Sequence, residues 1–443
     1  VANAKIADFE IDCSNQTLTS GSYNVLTKGI NMSVCLDTIL EHLYVYNSAA
    51  TAFGFDFPTY CWLVDCLAVN AGRLNGGTNP GGAGFGIGVG NVAEEVAFII
   101  DCVAKGGGRD GLLLEYQDVS TTMPTGYRVI NFHAESNGGH GINDAGCNGL
   151  QVIGGIMKSN AGSGMACSAG TISSGKPGEN GIVTGLDTVS NTINGFHYDC
   201  SSVNGLGGYR LLGIKAHSNG HHGILLQPSG TSGSNISDMA VEHCAAFLNA
   251  RSGIALSSGN GGTGSGINRP YITNNQCSDN GSSASTPDGI LINANLVDAH
   301  IQNNRCWDDQ GSPTQTSGII INSGITLSGF GEITRNDVRS SSGSGIVTSG
   351  ATINTTVLVK DNPGYNPIGV LTVAVPLTTV AVAATNGDMD FYVTAGATSV
   401  TMAISSGPTI TIPALGCVLV RVPAGQTVTP TYTNAPTWVV EGS

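Results

Sequence analysis

Hydrolysis of a glycosidic bond needs two carboxyl groups flanking the scissile bond, about 5–5.5 Å apart for retention and about 6.5–9.5 Å for inversion. In this 443-residue chain the acids best spaced for such a pair are Asp56 and Glu115. Between them residues 84–90 read GFGIGVG, glycine alternating with apolar residues. Alternation of period two is a strand signal, with alternate side chains on opposite faces. Phe85, Ile87 and Val89 then fill a core, while Gly84, Gly86, Gly88 and Gly90 leave the outer surface bare. The expectation is a shallow outer trough, with Asp56 on the coil before it and Glu115 on the coil after. Strands two coils apart stand about 10 Å apart, and side chains leaning over a glycine floor close that to the inverting range. Glu94 and Glu95 follow the glycine strand and are expected to overhang it. Arg73 and Gln117 flank the same coils and offer partners to hydroxyl or carboxylate groups. The competing expectation is that the glycines only admit a covering loop or a neighbouring subunit.

A second outward cluster comprises Asn143, Asp144, His197, Asp199 and Gln227. His197 and Asp199 are two apart on one strand and therefore share a face, as an acid/base pair requires. Its bland reading is a polar surface or an intersubunit groove. GGHGIND at 138–144 is one imperfect copy of a glycine-aspartate calcium repeat, and such repeats work in tandem. In HSNGHHG at 217–223 the adjacent His221 and His222 diverge, which argues against zinc. No GxG run precedes a helix, so there is no dinucleotide fingerprint. Neither a metal nor a cofactor is expected.

The elements that position these residues are repeats. A glycine followed by apolar alternation recurs at 54, 84, 111, 141, 164, 195, 223, 253, 289, 318 and 345, at intervals of 23 to 36 residues. Such a period signals a solenoid, and period-two alternation makes it one of strands. This predicts an all-β parallel β-helix of about 12 coils over residues 1–366. Asn137, Asn160, Asn191, Asn219 and Asn249 each precede a landmark glycine by four residues, which predicts a stack of side-chain hydrogen bonds at one turn. Cys66, Cys102, Cys244, Cys277 and Cys306 occupy recurring strand positions and read as reduced, buried thiols rather than a disulfide framework. DNPGYNPIG around residue 366 breaks the pattern. Short alternating stretches follow over 367–443 and predict a small antiparallel β-sandwich for trimerisation or glycan binding. VANAKIADFEID is already a full coil with no capping helix. Another chain is expected to cover it, or the chain is the distal part of a longer polypeptide.

Composition excludes several classes. There are 64 glycines, only 11% charged residues, and a net charge of −14 with 17 Lys+Arg. Nucleic acid and anionic membrane both need a basic surface, so neither is an expected partner. The outward apolar residues Leu225, Leu291, Ile320 and Val347 predict a stripe that a parallel homotrimer would bury.

The coils ATAFGFDF, CLAVNAGRLNGGTNPGGAGFGIGVG and CVAKGGGRDGLLLEYQ resemble the right-handed, single-stranded parallel β-helix of tailed-phage tail spikes and receptor-binding proteins, of pectate-lyase-like type. DNPGYNPIG and the closing VRVPAGQTVTPTYTNAPTWVVEGS resemble the junction and terminal sandwich of tail spikes and fibres. The similarity is one of pattern and carries over no catalytic residue. It implies a homotrimer on the virion tail that recognises, and in some cases cuts, host surface polysaccharide. Its other partners would be virion tail proteins or a missing N-terminal segment. The alternatives are a secreted polysaccharide lyase or epimerase, which needs a cation against a uronate, and a purely structural trimeric solenoid of the virion.

Overall fold

The computed structural model describes residues 2–17, 27–73, 82–90, 95–117, 126–168, 178–200, 206–228, 235–259, 265–282, 287–339, 345–348, 350–365, 370–371, 375–384, 388–423 and 425–442. Among them there is no α-helix. The chain forms two compact units, Val1–Val359 and Lys360–Ser443.

The first unit is a parallel β-solenoid. The landmark glycines open the strands of one 12-stranded parallel sheet, and two further strands of most coils join a 22-stranded sheet. Short parallel strands make up a third, six-stranded sheet. The landmark strands alternate inward and outward as expected, except that Phe57, expected inward, lies past the end of its strand and is half-buried. Phe85, Ile87 and Val89 are buried inward, in register with Leu112, Leu114 and Tyr116 on the next coil.

The landmark is glycine because another backbone lies where a Cβ would go. From Gly111 to Gly318, a Cβ on each would stand 2.5–2.9 Å from the carbonyl oxygen of the next landmark glycine along the axis. Gly84 belongs to this ladder, its Cβ position 2.8 Å from the Gly111 oxygen and 2.7 Å from Ala104 Cβ. It therefore does not face outward, contrary to its expected place in the trough floor.

Two side-chain ladders run beside the glycines. Asn137, Asn160, Asn191, Asn219 and Asn249 are buried, and each donates its amide to the Oδ1 of the next at 3.0–3.1 Å, with Asn280 continuing the series. The stacked-asparagine expectation holds. The second ladder occupies the residue just before each landmark glycine. There the N–H of His140 donates to Asp110, that of Ser163 to His140 Nδ1, that of Asn194 to Ser163 and that of His222 to Asn194.

None of the twelve cysteines forms a disulfide; eleven are buried and Cys417 is exposed. The expected stripe on the 12-stranded sheet does not stand clear of its surroundings. Leu225 is only 8% exposed, and Leu291, Ile320 and Val347 are half-buried, each covered by row-mates on adjacent coils. On the 22-stranded sheet, by contrast, Ile153, Ile156, Ile182 and Leu212 are 39–47% exposed.

The second unit contains two four-stranded antiparallel sheets. Their facing sides bury Phe391, Val393, Val400, Met402, Val420, Val422 and Val440. Residues 366–369, where the domain boundary was expected, lie outside the described residues.

Candidate functional site

The register of the 12-stranded sheet puts the two leading acids in one outward row. Asp56 pairs with Gly88, Gly88 with Glu115, and Glu115 with Ala145. Gly54 pairs with Gly86, so the first landmark is displaced by two residues from the sequence reading without a change of face.

The row is not an open floor. Lys28 lies across Gly54, whose Cβ would stand 2.4 Å from Lys28 Cδ, and its Nζ is 3.6 Å from the Asp56 carboxylate. The Lys28 side chain is 5% exposed and that of Asp56 21%. A Cβ on Gly88 would stand 2.6 Å from Asp56 Oδ1 and 2.6 Å from Gln117 Cδ. One on Gly86, which is half-buried, would stand 3.1 Å from Thr51 Cγ2. These glycines are bare because polar side chains of neighbouring coils lie flat over them. Glu115 is 7% exposed, so the pair is partly roofed rather than standing in solvent.

Three expectations are corrected here. Glu95 does not overhang the glycine strand. It is fully buried, and its Oε2 accepts the Gly90 N–H at 2.8 Å and the Tyr127 hydroxyl at 2.9 Å. Glu95 thereby ties the end of the glycine strand to Tyr127 of the next coil. Arg73 is a tie between coils, its guanidinium donating to the carbonyls of Asn47, Ser14 and Gln16. Asp144 is inward and fully buried, accepting the Tyr209 hydroxyl and the N–H groups of Gly146 and Cys147. Burial pushes its carboxyl up to about 6 against those hydrogen bonds. Glu94 lies outside the described residues.

Farther along the same face the second cluster keeps its outward members. His197 pairs with Ala166 and Leu225, and Asp199 with Gln227. His197 Nε2 is 3.0 Å from Gln227 Oε1. An amide oxygen only accepts, so Nε2 carries the proton and Nδ1 keeps its lone pair. Burial lowers the His197 pKa, against the opposing effects of Asp199 and Gln227. The ring is therefore a neutral base at pH 7. Asn143 Oδ1 accepts the Ser168 hydroxyl at 3.1 Å beside it.

Lys28 and Thr51 were not singled out from sequence. Lys28 precedes Gly29 in a stretch without a clear landmark, so its reach across Gly54 had no periodic signal. Among the described residues, no group of three or more His, Cys, Asp or Glu is placed to hold a metal ion. The face can bind hydroxyl and amide groups along its length, and it presents carboxyl and imidazole groups for proton transfer.

No family model matches the chain, and no curated protein matches it. Among solved structures it is similar to the A-module of a mannuronan C-5 epimerase from Azotobacter vinelandii, at 11% identity and a TM-score of 0.46, over 74% of this chain and 91% of that one. It is similar to tailspike protein 3 of bacteriophage CBA120, at 10% identity and a TM-score of 0.41, over 78% and 50%. It is also similar to the Dettilon tailspike protein, at 13% identity and a TM-score of 0.34, over 91% and 87%.

Proposed function

We propose that the protein is a phage tail spike or receptor-binding protein that holds host cell-surface polysaccharide along the outward face of the 12-stranded sheet. One observation carries this reading. Asp56, Glu115 and Gln117 at one end, and Asn143, Ser168, His197, Asp199 and Gln227 at the other, share a single face. From the strand of Asp56 to that of Gln227 is six steps, about 29 Å at the spacing of paired strands. Polar groups spread over that length suit an extended polymer better than a small metabolite. The protein acts on the virion tail as a parallel homotrimer.

Glycan-array binding followed by titration with the best polysaccharide tests the reading. Asp56→Asn, Glu115→Gln and His197→Ala are each expected to weaken binding by about 1–2 kcal/mol. Release of new reducing ends by the wild type, lost in Asp56→Asn or Glu115→Gln by about 10²-fold or more, would make the carboxyl pair catalytic. A wild-type protein that binds no glycan, or three variants that bind like it, would refute the proposal.

A further inference from the structure

The 22-stranded sheet, away from the site above, carries a notch of different build. In one outward row His217, Phe247, Ser278 and Trp307 are in register on successive coils. His217 and Phe247 stack with ring centroids 4.9 Å apart and planes at 0°. That stack occupies the face of Phe247 turned to the preceding coil. The other face is turned to the coil of Ser278. Ser278 is small and 7% exposed, while Phe247 and Trp307 on either side are half-buried. The strands of the two aromatics are two steps apart, about 10 Å. A flat ring between two walls needs about 7–8 Å, twice a carbon–carbon contact of about 3.5–4.0 Å. The extra space suits a puckered, saturated ring.

Both walls carry a cation. The Arg305 guanidinium lies 4.5 Å from the centre of the Trp307 ring, and Lys215 Nζ lies 5.8 Å from that of Phe247. Lys215 is engaged with Asp187 at 3.5 Å. Arg305 is exposed and in register with Asp337, whose carboxylate feels its charge while Arg339 takes that carboxylate's hydrogen bonds. Across the bend Ala240, 8% exposed, sits between Tyr271 and Arg210, the latter paired with Glu242 at 3.1 Å. Tyr271 is backed by His300 at 4.8 Å.

From this geometry we infer that the Phe247–Ser278–Trp307 notch is a binding site for a pyranose ring bearing a carboxylate, with Arg305 taking the acid group. The site is independent of the polysaccharide face above. Arg305 gives an acidic sugar a local partner on a chain whose net charge is −14.

Intrinsic tryptophan fluorescence, titrated with methyl glucuronide and with uncharged methyl glucoside, tests it. The glucuronide is expected to perturb the wild-type emission in a saturable way, with the glucoside about 10-fold weaker or more. Ser278→Leu fills the notch and should abolish the response. Arg305→Gln, a surface change, should leave the two sugars equal. Asp56→Asn and His197→Ala should respond like wild type, which separates this site from the one above. No saturable change with either sugar in the wild type, or an unchanged glucuronide preference in Arg305→Gln, would overturn the inference. A folded Ser278→Leu that responds like wild type would do the same.

Discussion

Two kinds of glycine in this solenoid predict opposite responses to a side chain. At Gly223 a Cβ would meet the Gly253 oxygen at 2.6 Å and Asn249 Nδ2 at 2.8 Å. Gly223→Ala is expected to destabilise by about 1–3 kcal/mol in chemical denaturation, as overpacking does. Gly185 has φ +65° and nothing within 4 Å of its Cβ position. Asn131 and Asn274 adopt the same left-handed conformation at the equivalent bend of other coils. Gly185→Asn should therefore change stability by less than about 0.5 kcal/mol. Asp288 is a third case at this scale. Burial pushes its carboxyl up to about 7, against hydrogen bonds from Ser317 and Thr316. The unfolded chain releases that proton near 3.8 and the native state holds it to about 7. The native state thus binds more protons across that window, so stability falls as pH rises through it, by about 1.4 kcal/mol per unit at most. Asp288→Asn should flatten the loss between pH 5 and 7. Parallel pH profiles for variant and wild type would refute this.

At the scale of elements, the asparagine stack links coils by side chains in the way the sheets link them by backbone. Asn191 donates to the Met157 carbonyl at 2.9 Å and to Asn219 Oδ1 at 3.0 Å, and accepts from both the N–H and the amide of Asn160. Asn191→Ala leaves buried donors of Asn160 unmatched and should cost at least about 2 kcal/mol. A denaturation midpoint equal to wild type would mean that the stack contributes nothing. This ladder was legible because Asn recurs at one offset from a landmark. The ladder of Asp110, His140, Ser163 and Asn194 was not, because one role is filled there by four residue types that share only an acceptor atom. The same limit applied at the site. Strict alternation put Asp56, Glu115, His197 and Asp199 on the outward face. Asp144, grouped with the outward cluster in the sequence reading, stands three residues after its landmark glycine and so has the inward parity that its burial shows. Local sequence said nothing of side chains from adjacent coils, so the roof of Asp56 and Gln117 over Gly88 was invisible. For the same reason, so was the enclosure of Glu95 by Tyr127.

For the whole molecule, the homotrimer proposed above is expected to use the part of the 22-stranded sheet around Ile153, Ile182 and Leu212, clear of the Phe247–Trp307 notch. Ile153, Ile156, Ile182 and Leu212 lie close together there on neighbouring strands, and exposed aliphatic clusters of this kind mark contact surfaces. Sedimentation equilibrium should give the mass of three chains for the wild type and a lower mass for Ile182→Glu. A monodisperse wild-type monomer at micromolar concentration would count decisively against the trimer.

The distribution of thiols also makes the folded protein a chemically addressable object. Eleven sulfurs are sealed inside, and the twelfth, at Cys417, sits at the surface of the second unit, in contact with the Thr394 hydroxyl. A maleimide reagent applied to the native chain therefore attaches at one known position without any engineered cysteine. A dye, a surface tether or a force-probe handle placed there would report on a protein otherwise left as nature wrote it. Any further label taken up on heating would report the opening of the buried core.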